Sequence, residues 1–231
     1  MCGRYTLTTP GEVLADLFEL AEVPQLVPRF NIAPTQVAPV VRVVEEVTPA
    51  AEEATGPRRL DLLRWGLVPY WAEDPSIGNR MINARAETVA TKPAYRSSFR
   101  RQRCLVVADG FYEWKKEGGG KQPYWIHRDD GAPVAFAGLW SRWAKGGEPL
   151  ETFTILTRDA TGAAAEIHHR MPVVLAREDW PLWLDPAVGE REPLEAVLAR
   201  EPASLALRRV SRRVNSPAND NPECLEEWNQ E

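Results

Sequence analysis

Cysteine is scarce in this chain, with Cys2, Cys104 and Cys224 spread over 231 positions. Three such residues are too few and too scattered for a disulfide framework. No C-x-x-C pair or Cys/His cluster has the spacing of a zinc site. Long apolar runs are missing as well. No stretch approaches the roughly 20 residues that cross a bilayer, and no basic segment followed by an apolar run opens the chain. A G-x-x-x-x-G-K-S/T phosphate loop is also absent. Together these absences point away from membrane, secreted and P-loop classes. They predict a reducing, cytoplasmic setting and chemistry that uses no metal and no cofactor.

Lysine is the other shortage: of 28 basic residues, 5 are lysine and 23 are arginine. Arginine suits planar, bidentate recognition of phosphate and carboxylate. The net charge of −5 weighs mildly against a nucleic-acid partner, which relies on positive potential. The charges are segregated, however. Acids collect at 45–53 and in the tail, while basic clusters stand at 96–103 and 208–213. Charge by itself leaves the partner open.

What is present suffices for one domain with a substantial core, since 44% of the residues are hydrophobic and 26% charged. Residues 11–22 carry Val13, Leu14, Leu17, Phe18 and Leu20 at helical spacing behind a Thr9-Pro10 start. Strands are predicted at 37–44, 60–67, 103–109, 123–128, 133–140 and 151–157, with KKEGGGKQ as a hairpin connection. Further helices are expected near 93–102, 161–167, 178–184 and 192–200. The stretch 45–57 reads as a polar loop, and 205–214 as a last strand or a basic edge. From Ser216 onward the chain turns polar and acidic and is expected to be loosely held. Many short strands with interspersed helices, and no regular β-α-β alternation, predict a single α+β domain.

Chemistry has to be sought in five polar or aromatic segments: RFNIAPTQ (29–36), RWGLVPYWA (64–72), NARAET (83–88), DGFYEW (109–114) and IHHRMP (167–172). Glu113 follows an apolar strand between Tyr112 and Trp114. A carboxylate desolvated by flanking rings suits proton transfer, while a surface ion pair is the bland alternative. His168 and His169 offer acid/base groups or plain loop hydrogen bonds. Asn83 and Arg85 alternate, so on a strand they share a face and put an amide beside an anion-holding guanidinium; otherwise they make a turn. Trp65 and Trp71 read as core or as platforms for nucleobases, at roughly 1–3 kcal/mol per stacked base. RFNIAPTQ reads as a turn and Cys104 as core. Cys2 either opens a buried strand as a small hydrophobe or, once Met1 is trimmed, presents an α-amine and a thiol on adjacent carbons. No other residue offers that pair.

The stretches MCGRY, RFNIAPTQ, RWGLVPYWA, NARAET, RCLVVADGFYEW and IHHRMPVVL, in that order over 1–176, closely resemble the motifs of the SRAP family, the SOS-response-associated peptidase or abasic-site processing proteins. VNSPAND (214–220) resembles its closing motif. The resemblance implies an SRAP domain over 1–220 with a short tail at 221–231, built on a mostly antiparallel, barrel-like β core with peripheral helices. It implies a monomeric DNA-damage protein, nucleoid-associated when at work, that binds single-stranded DNA containing abasic sites, single-strand/duplex junctions included. The implied chemistry is a covalent thiazolidine between Cys2 and the aldehyde of the ring-opened abasic sugar.

By matching positions, Cys2 is the nucleophile, Glu113 handles protons, His168 assists ring opening and reversal, and Asn83 positions the sugar. Arg85 and Arg170 hold flanking phosphates, and Arg4, Trp65 and Trp71 shape the DNA channel. Arginine contacts of this kind position DNA without reading its sequence. The family name further implies peptidase activity in the sense of removing the residue before Cys2. Two readings from other classes stay open: an N-terminal-nucleophile cysteine hydrolase, and a noncovalent reader of single-stranded DNA in which Cys2 is structural.

Overall fold

A computed structural model describes residues 2–43 and 57–228. The polar loop read at 45–57 lies outside the described residues except for Pro57. In chain order the strands are β1 (Tyr5–Leu7), β2 (Arg29–Ile32), β3 (Val37–Val43), β4 (Arg58–Trp65), β5 (Asn83–Arg85), β6 (Arg103–Ala108), β7 (Gly110–Glu117), β8 (Gly120–Arg128), β9 (Val134–Trp143), β10 (Leu150–Asp159), β11 (Arg170–Pro172) and β12 (Leu205–Arg209). One sheet runs β12-β8-β7-β1-β2. The other runs β11-β10-β4-β3-β6-β9, and β9 pairs with β10 as well. Strands β10, β4, β3, β6 and β9 therefore close into a ring, which leaves them no free edges. Most pairs are antiparallel; β10 runs parallel to β4 and to β5. The expected α+β class with a barrel-like core and peripheral helices is what the chain adopts.

Aromatic side chains fill the space between the two sheets. Tyr5 meets Trp65 edge-on at 5.2 Å, Phe111 meets Phe136 at 5.9 Å, and Trp65 stacks on Phe153 at 6.2 Å. Strand β6 is buried along its whole length, Cys104 included, with Trp183 donating its indole N–H to the Cys104 carbonyl at 3.0 Å. In the RWGL segment Gly66 has φ +128°, and a Cβ there would lie 2.5 Å from the Gly78 carbonyl oxygen. Only glycine allows that approach, which packs the end of β4 against the turn leading into β5.

Several local expectations change for physical reasons. The helix read over 11–22 spans Gly11–Phe18 and stops at Glu19, whose φ is 55°. Leu20 leaves the helical path to bridge Arg58, so sheet pairing overrides helical spacing. RFNIAPTQ begins as β2, and only its second half turns, with Thr35 left-handed at φ 71°. The described part of the segment after Ser216, residues 217–228, is not loose. The Asp220 carboxylate accepts the backbone N–H groups of Phe30 and Asn31 and pairs with Arg29, while Cys224 is buried. Asn31 donates to the carbonyls of Val214, Ser216 and Asn219. Asp220 is polar because it serves backbone N–H groups of β2, while most of its neighbours remain exposed to water.

Among the described residues no helix is long and apolar enough to cross a membrane, and no group of three His, Cys, Asp or Glu residues could hold a metal ion. Asp220→Ala would strand two backbone N–H groups of β2. It is expected to lower stability by about 3 kcal/mol, seen as a lower denaturant midpoint at unchanged slope.

Candidate active site

Strand β1 lies antiparallel to β7, with Tyr5 opposite Phe111, and the Tyr112 N–H donates to the Arg4 carbonyl at 2.9 Å. In such a pair, moving back toward the chain start moves forward along β7, which brings Cys2 to the Glu113 end of that strand. Asn83, from β5 of the other sheet, donates its Nδ2 to the Cys2 carbonyl at 2.7 Å. Its Oδ1 is buried with no hydrogen-bond partner among the described residues. Cys2 itself is fully buried, with its Sγ 3.9 Å from the Arg4 carbonyl oxygen. Burial pushes the thiol pKa far above the ordinary range, and the negative charge of Glu113 pushes it the same way.

Glu113 is 4% exposed, but its flanking rings do not cause this. Alternation along β7 sends Tyr112 and Trp114 to the opposite face, where they bond to the Phe30 carbonyl and to Asn215. The carboxylate is desolvated instead by its place between the sheets. Its Oε1 lies 4.0 Å from Nδ1 of His168. The Arg170 backbone N–H points at that same Nδ1 at 3.0 Å. The same Nδ1 lies 3.2 Å from the Arg170 carbonyl oxygen, so the Arg170 backbone offers this nitrogen both a donor and an acceptor. His169 is exposed and packs its ring 4.3 Å from that of His168.

A thiol at the chain start, an amide holding its carbonyl, and a buried carboxylate beside a histidine thus converge from segments far apart in sequence. The model of the family described as SOS response associated peptidase (SRAP) matches residues 1–217. The chain belongs to the SRAP family. It is 37% identical to the protein named abasic site processing protein YoaM of Bacillus subtilis, over 99% of each chain. It is 39% identical to abasic site processing protein HMCES of Gallus gallus, over 86% of this chain and 66% of that one. A crystal structure of a protein from Bacteroides thetaiotaomicron, 23% identical, shares the fold with a TM-score of 0.81, covering 98% of this chain and all of that one.

The remaining positions matched to SRAP motifs sort by exposure. Arg85 is exposed, and Trp71 is 42% exposed. Trp65, by contrast, is fully buried in the aromatic core and donates its N–H to the Ile82 carbonyl, so no base can stack on it. Arg170 is also turned inward. Its guanidinium pairs with Glu87 at 2.6 Å and Asp159 at 2.7 Å and bonds to the Thr157 carbonyl, leaving no face for a phosphate. Hydrogen bonding to Arg170 holds the Glu87 carboxyl below the usual carboxylate range. That pair is therefore intact at neutral pH and is lost only as pH falls through the lowered value. Arg4 is spent on Asn31 at 2.9 Å and the Val214 carbonyl at 2.8 Å, which anchors the strand behind Cys2.

Sequence reasoning overlooked Asn31, Glu87 and Asp220 as supports of this site. The signal was present, since each stands inside a quoted motif. A neutral residue at 113 removes the charge that disfavours the thiolate, so Glu113→Gln is expected to shift ionisation of Cys2 to lower pH. Ultraviolet titration of thiolate absorbance, with Cys2→Ser as the baseline, measures the shift.

Proposed function

We propose that this protein processes abasic sites in single-stranded DNA by forming a thiazolidine crosslink through Cys2. The observation that carries the proposal is a buried chain-start cysteine whose carbonyl is held by Asn83 and whose thiol feels the charge of Glu113, itself 4.0 Å from His168. The printed names of the relatives, abasic site processing proteins, support the same substrate. Removal of Met1 is required, because an acylated Cys2 nitrogen is not a nucleophile. Release of that residue is the peptidase step the family description suits, and Glu113 and His168 are the groups placed to move its protons.

The free α-amine has a reference pKa of about 8, so about a fifth to a third is neutral near physiological pH, far more than for a lysine at roughly 10.4. It adds to the aldehyde carbon of the opened sugar to give a carbinolamine. Loss of water, with Glu113 returning a proton to the departing hydroxyl, gives the imine. The Cys2 sulfur then bonds to the same carbon while its proton passes to the nitrogen. The sum is aldehyde plus aminothiol going to thiazolidine plus one water. A buried thiol suits the last step, since it is kept from other oxidants and electrophiles until a sugar without a base enters. Arg85 and Trp71, being exposed, are the matched residues left to meet the strand.

Intact-protein mass spectrometry with a single-stranded oligonucleotide bearing one abasic site tests the reading. The expected result is a starting mass without Met1 and a stable one-to-one adduct that Cys2→Ala abolishes. A trimmed, folded protein that forms no adduct sinks it. Arg85→Ala is expected to flatten the salt dependence of single-strand binding by about 0.7 in the log–log slope, the loss of one phosphate contact.

A further inference from the structure

Charge also collects at one mouth of the strand ring, away from Cys2. Arg42 on β3, Arg59 on β4 and Glu151 on β10 each stand one residue from a strand end, and the pairing brings those ends together. Alternation puts them on the inward face. Asp61 shares the face of Leu63 and Trp65 on β4, Glu151 that of Phe153 on β10, and Arg42 that of Val40, the residue opposite Asp61. Trp140, opposite Phe153, faces the same way from β9. Arg42, Arg59, Trp140 and Glu151, joined by Tyr70 and Arg101, line a cavity of about 640 Å³. That is the size of a small-molecule pocket. Glu151 lies four residues along β10 from Ile155, the partner of Asn83, a span of about 13 Å.

The walls hold unused binding capacity. Arg42, 6% exposed, is scaffold through Nε and Nη2, which pair with Asp61 and Glu151, and through a guanidinium face 4.3 Å from the Trp140 ring centroid. Its Nη1 is buried and has no hydrogen-bond partner among the described residues. A buried donor left idle is destabilising and calls for a ligand or a water. Arg59 shares Asp61, at 2.7 Å. Arg101 is exposed and forms no ion pair or side-chain hydrogen bond with any described residue. Arg42, Arg59 and Arg101 set against Asp61 and Glu151 leave one positive charge over. Glu151 engages Arg42 through Oε2, and its Oε1 has no partner among the described residues. The Tyr70 ring is 61% exposed.

We propose that this mouth is a second ligand site, one that takes a free nucleotide and stands apart from the abasic-site chemistry. The ligand class follows from the lining. An inorganic anion would satisfy Arg101 and leave the aromatic rings uncovered. An uncharged nucleoside would leave the surplus charge unanswered. A base joined to a phosphate meets both demands. The base stacks on the Tyr70 ring and on the Arg42–Trp140 pair, as bases do on aromatic and guanidinium planes. The phosphate takes the guanidinium forks of Arg101 and Arg59. Glu151 Oε1 and Arg42 Nη1 supply an acceptor and a donor for the edge of the base. A running strand fits less well, because the fully buried Trp65 and Phe153 close the ring behind the pocket and leave a nucleotide chain no way through.

Titration calorimetry on the intact protein tests the site, with the four deoxynucleoside 5′-monophosphates, their parent nucleosides and inorganic phosphate as probes. The expected result is one-to-one binding of at least one nucleotide, about tenfold tighter than its nucleoside. R101Q changes an exposed side chain, and thermal melting checks its folding. It should weaken the nucleotide about tenfold and leave the nucleoside unchanged. Y70A, also at an exposed position, should weaken both alike. No nucleotide binding at millimolar concentration, or equal affinity in the wild type and R101Q, overturns the site. So does displacement of the nucleotide by a lesion-free single-stranded oligonucleotide, which would put the mouth on the path of the strand. Adduct formation with abasic DNA is scored separately and should be the same in R101Q as in the wild type. Its failure in both, beside intact nucleotide binding, counts against the covalent reading and leaves the nucleotide site supported.

Discussion

A chain end is ordinarily the loosest part of a domain, and the chemistry proposed here needs one to be held still. Fixing a residue's backbone costs about 1–2 kcal/mol, while a typical hydrogen bond returns about 1 net, so one contact cannot immobilise a terminus. Cys2 is buried because several grips act at once. Asn83 holds its carbonyl, β7 and β2 flank the strand that follows, and Arg4 reaches both Asn31 and the Val214 carbonyl. Asp220 in turn fixes β2. The closing segment therefore supports the candidate site although none of its side chains is placed to react.

The arginine excess takes on a different meaning once burial is known. Arg103 donates to the carbonyls of Phe99, Trp183 and Val188, and Arg42 bridges Asp61 and Glu151 while lying over the Trp140 ring. A guanidinium has five donors in a planar fork and can saturate several buried acceptors where a lysine cannot. Arg42, Arg103 and Arg170 are thus internal scaffolding. Exposed cations without an ion pair among the described residues, Arg85 near the site included, give the surface its positive ground.

Long elements were legible in the sequence, and short ones were not. Strands β3, β6, β9 and β10 carry enough apolar residues to be read locally, and they fall within a few residues of expectation. Strands β1, β2, β5 and β11 have three or four residues each, too few for any periodicity, and they exist because neighbours supply their hydrogen bonds. The site follows the same division. Cys2, Asn83, Glu113 and His168 were legible as residue types in motifs. The burial of Trp65 and the internal pairing of Arg170 were not, since exposed and buried copies of either side chain look alike in a sequence.

By itself, then, the sequence determined the α+β class, the absence of a disulfide framework, and the presence of an aminothiol at the chain start once Met1 is gone. Those follow from composition, local patterning and covalent structure. Only the tertiary structure decided which groups share the site, which arginines remain available to a ligand, and that the tail is part of the scaffold. The decisive contacts join residues far apart along the chain, 81 positions between Cys2 and Asn83 and 210 between Arg4 and Val214. Such contacts form only when both sheets assemble, because each isolated pair returns less free energy than the chain closure it requires.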